Sequence, residues 1–132
     1  LNTLVPSGTG KLNNPNMWFS STAQANNYIF MQAAGRIDTT AAKNATDAEM
    51  VPFVYNIGTN NHLVHISMPN QNVSVQPGTA AFIHMKVDYA KLFDGLNLAD
   101  ATNFSVASIV DNGTSLAINI SAHIANMFKY EN

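Results

Sequence analysis

The chain has 132 residues, 46% apolar and 11% charged, with a formal charge of −2 and no Cys. This fits one domain with its own core and excludes disulfides, zinc fingers, iron–sulfur clusters and thiol catalysis. No run of Lys and Arg can neutralise a phosphate backbone, which sets nucleic acid aside as a partner, and no apolar stretch reaches the roughly 18 residues of a membrane span.

Residues 1–21 hold Pro6, Gly8, Gly10, Pro15 and four Asn without a sustained period, and read as an extended loop that carries the one Trp, Trp18. The first residues have neither the basic start nor the apolar centre of a signal peptide. Asn27 to Ala33 is predicted as a central strand, apolar on both faces and ended by Gly35. Thr39 to Glu49 is polar and reads as a surface loop or short helix.

Met50 to Ile57 is predicted as a second strand, and after the turn signal Asn60-Asn61 the alternation of His62 to Met68 predicts its hairpin partner. Asn72 to Gln76 reads as a short strand between Pro69-Asn70 and Pro77-Gly78. Ala80 to Tyr89 is the longest predicted strand, with Phe82, His84, Lys86 and Asp88 expected to face water. A helical turn over Tyr89 to Gly95 and a weak strand over Asn103 to Val110 follow.

After Asn112-Gly113, with Thr114 or Ser115 as N-cap, Leu116, Ile120, Ile124, Met127 and Phe128 recur at helical spacing. They predict one amphipathic C-terminal helix of about 14 residues. Short strands at regular spacing plus this helix predict a mainly β fold, an antiparallel Greek-key or immunoglobulin-like β-sandwich with a helical appendage, spanning residues 1–132 as a single domain.

No Gly-rich phosphate loop, HExxH or GxSxG motif occurs, and the scattered acidic residues form no pair spaced for acid–base work, so the chain is read as non-catalytic. The strong nitrogen ligands are His62, His65, His84 and His123, and six Met add soft thioethers suited to Cu(I). If His62–Met68 pairs antiparallel with Ala80–Val87, His65 and His84 share the polar face and can reach one ion. The alternative is two solvated histidines on a sheet surface. His62 faces the other side, and His123 is expected to be exposed beside Asn119 and Asn126. Trp18 is read either as a plug closing one end of the sandwich or as an exposed stacking platform. Five Asn-x-Ser/Thr triplets, at Asn44, Asn72, Asn103, Asn112 and Asn119, are too many in so Asn-rich a chain to imply glycosylation.

Gly10-Lys11-Leu12, Asn16-Met17-Trp18, Asn27-Tyr28-Ile29-Phe30-Met31 and Gly35 follow one another in an order that continues through Phe53-Val54-Tyr55-Asn56-Ile57-Gly58. The order extends to Val87-Asp88-Tyr89-Ala90-Lys91-Leu92-Phe93-Asp94-Gly95 and Ile124-Ala125-Asn126-Met127-Phe128. It resembles the MbnP-like family of bacterial extracytoplasmic β-sandwich proteins, associated with copper uptake and related to MopE and CorA. The resemblance covers the C-terminal two thirds of the family domain. It implies that the opening strands are supplied by another copy or a separate fragment.

The resemblance further implies a secreted, periplasmic or outer-membrane-attached protein, such as a lipoprotein, that binds copper or hands it on. It implies Trp18 as the position oxidised to kynurenine in copper-binding relatives, where two His complete the site, and a copper-uptake or Trp-oxidising protein as partner. Asn56 stands where the family commonly has His, and no His lies near Trp18 in sequence. The first expectation is therefore a copper-handling protein with His65 and His84 as ligands. The second is a bacterial surface interaction or adhesion module that binds carbohydrate or protein through Asn-rich loops.

Overall fold

The computed structural model describes residues 15–19 and 28–131. The reading of residues 1–21 as an extended loop falls mostly outside that range. Within it, Pro15–Met17 forms a 3-10 turn and Trp18 makes an antiparallel bridge to Tyr28.

Strand β1 (Ile29–Ile37) and strand β2 (Val51–Gly58) form an antiparallel pair, and the short strand β4 (Ser105–Val106) lies parallel to β2 on its other edge. Strand β3 (Met85–Val87) pairs antiparallel with β5 (Phe128–Tyr130) in a separate two-stranded sheet. Helix α1 (Ser115–Ile124) lies between β4 and β5 in sequence and packs on β2.

Among the described residues the predicted β-sandwich is not formed. A sheet of three strands and a sheet of two stand apart, and the ten-residue α1 with six short 3-10 turns balances the strand content. In place of a second sheet, α1 packs on β2, which is flanked by β1 and, at Val54 and Tyr55, by β4. The core is therefore helix on sheet. Tyr55 and Ile57 from β2, Val106 from β4 and Ile120 from α1 are its fully buried side chains. Burial of each aliphatic one is worth about 1.5–3 kcal/mol against exposure.

Strand β2 pairs with β1 rather than with the predicted hairpin partner His62–Met68, and neither that segment nor 72–76 forms a strand. Of the long strand predicted over 80–89, only β3 is formed. Among the described residues β1 is an edge strand rather than a central one, and it runs through Gly35 instead of ending there. Gly35 pairs with Phe53, whose ring lies across it: a Cβ at Gly35 would sit 2.7 Å from the ring. The glycine thus makes room for an aromatic that packs edge-on against Phe93 at 5.7 Å.

The C-terminal helix follows its sequence pattern closely. Thr114 Oγ1 accepts the Ala117 amide as N-cap, and Leu116, Ala117, Ile120, Ser121 and Ile124 are buried on one face. It is shorter than expected because its last turn tightens into the 3-10 turn Ala125–Met127 before β5 begins. The turn over Tyr89–Phe93 is also formed, capped by the Asp88 carboxylate on the Ala90 amide.

Candidate functional site

Trp18 is half-buried, and its backbone bridge to Tyr28 places it at the start of β1, where the Tyr28 and Phe30 rings lie 6.1 Å apart. Partial burial raises the Tyr28 hydroxyl above its ordinary pKa.

His65 and His84 are both exposed, His84 with 70% of its side chain open. The strand pairing invoked to bring them together is absent. His84 is instead fastened to the end of β5, where its carbonyl accepts the Glu131 amide at 3.0 Å and its Nδ1 lies 3.8 Å from the Glu131 carboxylate. His65 lies in the strandless stretch that precedes β3. Among the described residues no group of three or more His, Cys, Asp or Glu is arranged to hold a metal ion.

The histidine that the structure singles out is His62. The 3-10 turn Asn60–His62 follows directly on β2 and carries His62 inward until only 4% of it is exposed. Its Nε2 meets the backbone carbonyl of Asn112, which can only accept, so this nitrogen carries a proton. Its Nδ1 lies 3.0 Å from Ser121 Oγ, which also lies 2.8 Å from the Ile118 carbonyl. In neutral His62 the single hydroxyl proton of Ser121 serves one of these acceptors at a time.

Asn112 completes the knot. Its Oδ1 accepts the Gly58 amide at 3.0 Å, and its Nδ2 donates to the carbonyls of Asn56 and Ser108, each at 3.0 Å. The end of β2, the turn after it and the entrance of α1 are thereby tied together by side chains. Thr59, at φ 66°, takes a conformation unfavourable for a β-branched residue and is held there by its amide bond to the Tyr28 carbonyl. Its Oγ1 is the buried side-chain polar atom without a hydrogen-bond partner among the described residues. The sequence marker of this knot is the run Gly58-Thr59-Asn60-Asn61-His62. Reading His62 onto a strand hid it; separately, His123, expected to be exposed, is half-buried with Nδ1 3.3 Å from the Leu92 carbonyl.

Beside α1 and β3 lies an open apolar groove of about 370 Å³, floored by Phe30, Met31, Val87 and Met127 and rimmed by Leu63 and Tyr89, which are 60% and 70% exposed. Val64 and Ile66 form its flank. A second cavity, of about 280 Å³, is bounded by Thr59, Asn61 and the turn that holds Val110 and Asn112.

The carboxylates with perturbed acidity lie elsewhere and are turn-builders. Asp111 is held below the usual carboxylate range chiefly by the amide of Ser108, Asp38 by the Thr40 hydroxyl and the Ala45 amide, and Asp100 by the Thr102 amide.

One family model, MbnP, matches residues 2–110 of the chain. The matched span ends before α1, so Ile124–Phe128, aligned above with the family's closing segment, lies beyond it. No curated protein and no solved structure matches the chain.

Proposed function

The chain belongs to the MbnP family, matched over residues 2–110, and from that premise we propose that it is a non-catalytic extracytoplasmic protein that carries copper as cargo. Family membership supports the general role, non-catalytic and outside the cytoplasm. The observation that supports copper is the contrast among its histidines. His62 is consumed by the buried knot, whereas His65 and His84 are exposed, with no hydrogen bond on either imidazole.

Between them runs a stretch without strand pairing, and the entropy of closing such a loop rises only slowly with its length. Two imidazoles without a third donor suit Cu(I) over Cu(II). Trp18, half-buried at the start of β1, is the position for oxidation to kynurenine by a partner enzyme.

The test is Cu(I) titration of the full chain, with intact mass measured on protein from its native host. One equivalent bound by the wild type and lost in both His65→Ala and His84→Ala supports the reading, and a mass gain of about 4 Da on the Trp18 peptide supports the modification. Copper binding unchanged in the double variant overturns the ligand assignment. A second reading, an interaction module at the bacterial surface, is favoured by the open groove, whose apolar walls are otherwise unexplained in a metal carrier.

A further inference from the structure

We propose that the cavity beside the turn Asn60–His62 is a binding site for one neutral sugar ring, held by the hydroxyl of Thr59. The proposal is independent of copper binding. The cavity, of about 280 Å³, is lined by Thr59, Asn61, Ile109, Val110, Asn112 and Gly113.

Three observations meet at Thr59. It is the N-cap of the 3-10 turn, a position where a Thr side chain ordinarily accepts an amide of the turn, yet it makes no such bond. The residue is 7% exposed, and its Oγ1 is buried without a hydrogen-bond partner among the described residues. Its backbone lies at φ 66°, a conformation uncommon for a β-branched residue.

A buried hydroxyl left unpaired lowers stability, and native proteins hold few of them. Capping does not account for this one, and the cavity that Thr59 borders is where a partner can enter. Rotation about a single side-chain bond exchanges Oγ1 and Cγ2, which is enough to turn the hydroxyl towards a ligand. The main chain stays fixed meanwhile. The Thr59 amide donates to the Tyr28 carbonyl at 3.0 Å, and the Thr59 carbonyl accepts the His62 amide at 3.3 Å. The unfavourable φ is thus held from both sides, the condition under which such strain persists at ligand sites.

The class of ligand follows from the lining. None of the six residues is charged, so a phosphate or carboxylate would leave water without a counter-charge to meet it. Asp111, between Val110 and Asn112 in sequence, has its carboxylate bound by the amides of Ala107 and Ser108. The side chain of Asn112 is engaged in the knot, which leaves the Thr59 hydroxyl and the exposed Asn61 amide to meet a ligand. Each can both donate and accept. Ile109 and Val110, 41% and 80% exposed, supply an apolar wall beside them.

A molecule with hydroxyls that donate and accept, and with C–H faces to lay against Ile109 and Val110, is a sugar. The volume suits a single ring, since it falls just under the roughly 300 Å³ at which pockets for larger ligands begin.

The experiment is a nitrogen-15 NMR titration of the full chain with the methyl glycosides of glucose, galactose, mannose and N-acetylglucosamine. For at least one of them, saturating shifts at the amides of Thr59, Asn61, Val110 and Gly113 are expected, with a Kd on the order of 1–10 mM. Thr59→Val keeps the shape and removes the hydroxyl. It is expected to weaken binding by at least about fivefold, with a thermal midpoint no lower than that of the wild type, because an unpaired buried group is gone. Asn61→Ala, at an exposed position, serves as the second variant should the first fail to fold, with an expected loss of at least about threefold.

A wild type without saturable shifts for any of the four glycosides overturns the proposal and leaves the hydroxyl to water. Shifts that saturate at amides away from the cavity overturn it as well, since the ring would then sit elsewhere. So does binding that is unchanged in both variants.

Discussion

The side-chain carbonyl of Asn112 accepts the backbone amide of Gly58 at 3.0 Å, across 54 residues of sequence. Through this bond and two donations from its Nδ2 to Asn56 and Ser108, one neutral side chain fixes where β2 ends and where α1 enters. Replacing Asn112 by Leu strands a buried amide and removes a donor from two carbonyls, each a cost of about 1–3 kcal/mol. Asn112→Leu is expected to lower the unfolding free energy by about 3 kcal/mol, read from the urea midpoint at constant slope. A loss below about 1 kcal/mol would show that water replaces these bonds without penalty. The same engagement makes Asn112, although it heads an Asn-x-Thr triplet, unable to act as a glycan acceptor in the folded state.

His62 and Ser121 form the second half of the knot, and His62→Ala leaves both a cavity and an unserved Asn112 carbonyl. A destabilisation of about 2–4 kcal/mol is expected, with copper stoichiometry unchanged in the folded variant. A His62→Ala/Ser121→Ala double-mutant cycle should give a coupling of about 1 kcal/mol. Loss of copper in folded His62→Ala would instead make the buried imidazole a ligand, contrary to its assignment to the knot.

Two glycines separate by what lies over them. A Cβ at Gly58 would fall on the backbone carbonyl oxygen of Tyr28, which also receives the Thr59 amide, so neither side can yield. At Gly35 the obstacle is the edge of the Phe53 ring, a side chain that can rotate at some cost to its packing on Phe93. Gly58→Ala is therefore expected to cost more than about 3 kcal/mol and Gly35→Ala about 1 kcal/mol. Thermal midpoints that reverse this order would show that β1 and β2 slide past each other more easily than their register implies.

Asp111 gives a pH prediction with a definite sign. The amides of Ser108 and Ala107 bind its carboxylate and hold its folded pKa below the unfolded value. Its contribution is thus fully present above the ordinary carboxylate pKa of about 3.9 and is lost as pH falls through the folded value. Asp111→Asn should lower the denaturation midpoint at pH 7 and converge with the wild type as pH falls through the folded value, so that the variant's fall on acidification is flatter. An identical acid slope in variant and wild type would remove Asp111 from the account.

What the sequence alone determined lies within single elements. The spacing of Leu116, Ile120 and Ile124, with Thr114 before them, specified α1, its cap and its buried face, because a helix satisfies its own backbone and needs only one apolar stripe. The apolar run that begins at Val51 likewise specified β2, and the order of short motifs from Gly10 to Gly95 carried the family.

Tertiary structure decided which elements are neighbours. Strand periodicity is present in His62–Met68 and in Ala80–Tyr89, but periodicity does not choose a partner: β2 pairs with β1 along its length and with β4 at Val54 and Tyr55, and of 80–89 only Met85–Val87 finds a partner, in β5. For the same reason Gly35 lies inside β1, because Phe53 arrives over it from β2. His62 is the sharpest case. Nothing in its local sequence separates it from His65, and only contacts with Asn112 and Ser121, 50 and 59 residues away, make one histidine structural and leave the other open to solvent.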